Sequence, residues 1–121
     1  MKQQGIVGTW DEQQAQDGLI TLNGKVASIF AQQPKEVSFV FVPLIDRRQI
    51  LDKEGDITVR ETVGTCDHEN LVIRIVVNRR WAKTAVHELV HLYNPRRSEK
   101  KISSLTEEVI KYLRQGELAL R

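Results

Sequence analysis

Two hydrophobic periods alternate along this chain. Leu19, Leu22, Val26, Ile29 and Phe30 recur at helical intervals up to Pro34, and Thr9-Trp10-Asp11-Glu12 has the spacing of a capping box. They predict one helix in the N-terminal third, with Gly18 and Gly24 as places where it can break. Residues 37–45, VSFVFVPLI, are dense in branched and aromatic side chains and read as a strand ended by Pro43. A polar connection over residues 46–55 follows. Residues 57–63, ITVRETV, alternate in the mixed way of an exposed edge strand, whereas residues 71–77, LVIRIVV, are apolar on both faces apart from Arg74 and should sit centrally. The intervening GTCDHEN, residues 64–70, has the glycine and Asn/Asp content of a hairpin loop.

From Trp81 the period becomes helical, until Asn94-Pro95 stops it, because the residue before a proline avoids the helical region. The charged stretch RRSEKK, residues 96–101, reads as a connection. Ser104-Leu105-Thr106-Glu107 is a second capping box, opening a helix whose apolar side is Leu105, Val109, Ile110, Tyr112 and Leu113. The expected fold class is α+β: an N-terminal helix, a mostly antiparallel sheet of about three strands, and two C-terminal helices on one face.

Composition narrows the class without changing this layout. A chain of 121 residues fits a single domain spanning 1–121, and 40% hydrophobic with 28% charged residues is the balance of a soluble globular protein. A net charge of +2 is too mild to argue for nucleic acid as the partner. With one cysteine, Cys66, no internal disulfide can form. The first twenty residues lack the apolar core of a signal peptide, and no run is long enough to cross a membrane, so the expected location is cytoplasmic.

The chemistry gathers in TAVHELVHLY, residues 84–93. On a helix His87 and His91 lie about 40° apart and one turn above each other, so both imidazoles can reach one metal ion. Trp81, Ala82, Ala85, Leu89, Leu92 and Tyr93 gather on the other side, which sets the histidines apart from the apolar stripe. Glu88 projects about 100° from His87, poorly placed to be a ligand but able to hydrogen-bond a water held by the metal. Zinc with three protein ligands lowers the pKa of bound water towards about 7, and a carboxylate such as Glu88 can then act as general base in attack on a carbonyl.

A third ligand must come from elsewhere: Glu107, Glu108, His68, Cys66 or a more distant carboxylate. Glu108 lies at the margin of the last helix's apolar side, whereas Glu107 points away from it and can serve the capping box, so Glu108 is the preferred ligand.

With these residues the sequence resembles the gluzincin zinc metallopeptidases, in which a His-Glu-x-x-His helix is followed by a helix supplying a glutamate ligand. It is most similar to the small single-domain minigluzincins, over roughly residues 57–113. The ImmA/IrrE-type peptidases share the layout. Metzincins do not fit, because Asn94 and Arg97 stand where their glycine and third histidine fall, and the only methionine is Met1. The resemblance implies zinc held by His87, His91 and Glu108, Glu88 as general base, and a protein or peptide substrate laid along an edge strand, here ITVRETV. Larger gluzincins carry an acidic residue one turn beyond the ligand to support a histidine. Here that place is Tyr112, so support for the histidines must come from another group.

A different reading joins Cys66 and His68 to His87 and His91 as a closed four-ligand zinc site, which would be structural and make the protein a metal-stapled binding module. Tyr93 and Tyr112 are candidates to hydrogen-bond a developing oxyanion, against plain packing. So small a domain can depend on homo-oligomerisation, on a partner, or on removal of a terminal segment covering the cleft.

Overall fold

A computed structural model describes residues 11–51 and 53–120. Thr9 and Trp10, half of the capping box expected at the first helix, lie outside the described residues. The helix itself, α1 (Glu12–Ile29), is capped by Asp11, whose carboxylate accepts from the Gln14 N–H at 3.1 Å. It runs unbroken through Gly18 and Gly24, burying Ala15, Leu19, Asn23, Val26 and Ala27. Ala31, at φ 53°, turns the chain out of the helix, and the Gln32 N–H returns to Ala27 O.

Five strands follow: β1 (Ser38–Val42), β2 (Asp46–Leu51), β3 (Ile57–Thr62), β4 (Gly64–Asp67) and β5 (Val72–Val76). The apolar β5 is central, as its sequence predicts, in a three-stranded sheet of order β1-β5-β4. That sheet is mixed rather than mostly antiparallel, because β1 pairs parallel with β5 and only β4 runs against it. In register, Phe39, Ile73 and Cys66 form one row, and Phe41, Ile75 and Gly64 the next. Phe39, Ile73 and Ile75 of these rows are buried.

Two elements depart from the expected layout. The polar segment 46–55 supplies β2, which pairs with β3 as a separate antiparallel hairpin, so ITVRETV is not the edge of the main sheet. That edge is β4, inside the segment read as a loop. The loop proper is the tight turn after it: Asp67 Oδ1 accepts from the N–H groups of Glu69 and Asn70, and Leu71 adopts φ 55°. These bonds, those from Asn70 first, hold the Asp67 carboxyl below its usual pKa.

α2 (Trp81–Tyr93) packs against β4, β5, α1 and α3 (Glu99–Leu120). Thr84, Ala85, Val86, Glu88, Leu89, Val90, Leu92 and Tyr93 are all buried, so this helix is wrapped on most sides and only a narrow stripe remains partly open. α3 begins six residues earlier than a cap at Ser104 would give. Ser98 caps it, its Oγ accepting from the Lys101 N–H at 3.2 Å, and Ile102, Thr106 and Val109 are buried along one side. Residues 94–98 therefore suffice to join α2 to α3, with Asn94 O accepting from the Arg97 N–H. So short a link makes the helices antiparallel neighbours. Among the described residues no helix is long and apolar enough to cross a membrane.

Candidate metal centre

The stripe of α2 left partly open carries the two histidines. His87 Nε2 lies 3.1 Å from Glu99 Oε2, and His91 Nε2 lies 3.2 Å from Glu99 Oε1. One carboxylate thus spans both imidazoles, whose ring centres are 5.0 Å apart. Among the described residues this is the one group of histidine, cysteine or acidic side chains whose donor atoms converge, all within 4.8 Å of one another. Donors bound at about 2.1 Å around a tetrahedral ion stand about 3.4 Å apart, so the spacing fits a small divalent cation with little adjustment. The chemistry fits as well, with two imidazole nitrogens and a carboxylate oxygen suiting zinc and neighbouring transition metals. Glu99 is 68% exposed while the histidines are about one quarter exposed, so the cluster opens to water on the carboxylate side.

The carboxylate brought to the histidines is Glu99, not Glu108 or Glu107. The length of the link decides this. In an antiparallel helical hairpin, residues pair at similar distances from the turn: His91 meets Glu99 near it, and Lys83 meets Glu107 further up, at 2.7 Å. Glu108 lies nine residues beyond Glu99, about 13 Å along the axis at 1.5 Å per residue, and its side chain is exposed. Glu107 is exposed too, and its bond to Lys83 holds its carboxyl below the usual range. Glu99 was hidden by its setting in RRSEKK. The available signal was Ser98 followed by an acid in the first turn, with Ile102 extending the apolar stripe one turn back from Leu105.

Glu88 stands apart from the three converging groups, between α2 and the start of β4. Its carboxylate is buried, and burial first, then the Glu99 charge, pushes its pKa from 4.5 up to about 7. Gly64 makes that placement feasible. A Cβ on Gly64 would stand 2.5 Å from Thr84 Cγ2 and 3.0 Å from Glu88 Oε2, so the edge strand passes over the helix only where no side chain intervenes.

Cys66 and His68 do not join the cluster. Cys66 shares the helix-facing rows of the sheet and packs partly buried against the core, where desolvation foremost pushes its thiol up to about 12. His68 is exposed in the turn after β4. The tyrosines are placed for other work. Tyr93 is buried, its hydroxyl donating to Asn23 Oδ1 and accepting from the Lys35 N–H at 3.0 Å, which pins the segment after α1 to the end of α2. Tyr112 is 63% exposed on α3.

Comparison with known proteins finds no family model that matches this chain, and no curated protein or solved structure that matches it.

Proposed function

We propose that this chain is a metal-dependent peptidase of the small gluzincin kind, with zinc held by His87, His91 and Glu99 and with Glu88 as the general base. The observation that carries the reading is the closure of one carboxylate onto two imidazoles one helical turn apart, with a buried glutamate next to the first histidine in sequence. Glu99 takes the place that sequence reasoning gave to Glu108. Held there by His87, His91 and Glu99, zinc would supply Lewis acidity for polarising a carbonyl and acidifying water.

The protein's own groups account for the rest. Glu88, buried beside the histidine helix and kept ionised by a cation bound nearby, is suited to take a proton during attack and return it to the departing amine. The edge strand β4 begins directly over that carboxylate, so an extended peptide adding to the sheet there would carry its backbone past Glu88. Recognition of that kind runs through main-chain bonds and favours unfolded or flexible protein segments over a particular side chain.

Two measurements test the proposal. Metal content of purified protein is expected to fall in Glu99→Ala and to persist in Glu108→Ala; the reverse result would restore the sequence assignment. Cleavage of an unfolded protein substrate is expected in the zinc-loaded parent and not in zinc-loaded Glu88→Gln. Equal cleavage by the two removes the peptidase reading.

A further inference from the structure

The histidines of a metal site need support on the ring nitrogen that faces away from the ion, and the place where larger gluzincins keep an acidic supporter gives none here. Ser103, one turn beyond Glu99, is exposed. We propose that Thr106 is the positioning residue for this centre, its hydroxyl holding the His87 ring so that Nε2 stays aimed at the site shared with His91 and Glu99. The inference rests on the metal reading above.

Thr106 is 1% exposed in the middle of α3, where a polar side chain must find partners. Its hydroxyl donates to Ile102 O at 2.8 Å, and the same oxygen lies 3.4 Å from His87 Nδ1. Glu99 meets the opposite corner of the ring at 3.1 Å. Glu99 and Thr106 are seven residues apart, close to two full helical turns, so they project from the same side of α3 and grip one imidazole between them.

A hydroxyl suits this position for a reason that a carboxylate or an N–H does not share. With a cation on Nε2, a neutral imidazole carries its hydrogen on Nδ1. Nδ1–H can then donate to Thr106 Oγ1 while Oγ1–H donates to Ile102 O, so every hydrogen has an acceptor. Without a cation, His87 can turn its hydrogen to Nε2 and donate to Glu99. Nδ1 is then an acceptor, and the Thr106 hydroxyl can rotate to serve it. One buried group therefore satisfies the ring in both states, and the ring need not reorient when metal enters or leaves. Outer partners of this kind set ligand orientation and affinity.

The test uses the full chain with zinc as the probe. Thr106→Val removes the hydroxyl at nearly constant volume, Thr106→Ser keeps it, and Thr106→Ala removes it without adding bulk, so that the comparison survives if valine disturbs the fold. Competition against a chromophoric chelator is expected to show zinc affinity lowered about 10- to 100-fold in the valine and alanine variants and near the parent in the serine variant. In long-range proton–nitrogen spectra of the zinc-loaded protein, the His87 Nδ1–H signal should persist in the parent and serine forms and be lost to solvent exchange in the other two. Variants lacking the hydroxyl that are less stable yet bind zinc as tightly as the parent overturn the positioning role and leave the metal centre standing. A parent that binds no zinc overturns the centre and the role of Thr106 together.

Discussion

Removing the charge from Glu88 should make the metal-free protein more stable, although the same change abolishes the proposed activity. The carboxyl is buried between α2 and β4, with Glu99 nearby as a second negative charge. Moving its pKa from 4.5 to about 7 amounts to about 3 kcal/mol of preference for the protonated form in the folded state. The sign follows from linkage. Because the folded pKa lies above the unfolded one, the contribution is fully present below about pH 4.5 and is lost as pH rises through about 7. Glu88→Gln keeps the shape of the protonated acid and never ionises, so its advantage over the parent should be near zero at about pH 4, grow across the window from about 4.5 to 7, and level off near 3 kcal/mol at about pH 8.

Urea unfolding of chelator-treated parent and variant across that range measures the difference directly. A bound divalent cation would favour the ionised carboxylate and shrink the variant's advantage, so the same titration with zinc present serves as an internal contrast. An advantage that does not change with pH, or that is largest in acid, would refute the claim that Glu88 is held in a desolvating site.

Two further outcomes bear on the frame around the site. Gly64→Ala should destabilise the fold by about 1–3 kcal/mol, because the new methyl meets Thr84 Cγ2, and Thr84→Ser should relieve part of that cost in a double-mutant cycle on thermal or urea unfolding; equal costs in both backgrounds would place the strain elsewhere. Tyr93→Phe should cost about 1–3 kcal/mol by leaving Asn23 and the Lys35 N–H short of a buried partner, with zinc affinity unchanged, and a selective loss of zinc affinity would contradict the purely structural place given to that hydroxyl.

The parts of this protein that could be read from sequence are those whose signal is local. The histidine helix, its stop at Asn94, the central strand and the first helix each follow from periodicity within one segment. What escaped depends on partners distant in sequence. Gly-Thr-Cys-Asp has the composition of a turn, yet it forms the edge strand because Ile73 and Ile75 on β5 offer a ladder and because Gly64 lets the backbone lie against Thr84 and Glu88. The polar segment 46–55 contains a strand for the same kind of reason, its hydrogen bonds being supplied by β3.

The exchange of Glu108 for Glu99 follows from one boundary. Placing the start of α3 at Ser104 lengthened the assumed link after Pro95 and slid the acidic residues out of phase with α2. Ser-x-x-Glu is a capping signal only where the backbone donors are unpaired; within a helix they already have partners, and Thr106, the third residue of that string, bonds back to Ile102 instead. Once Ser98 is recognised as the cap, the short link fixes the antiparallel pairing. That pairing brings Glu99 to the histidines, Glu107 to Lys83 and Thr106 to the far side of His87. A candidate site built across two helices is therefore only as well determined as the length of the loop between them: at about 1.5 Å and 100° per residue, moving the cap by six residues, from Ser104 to Ser98, exchanges one acidic side chain for another.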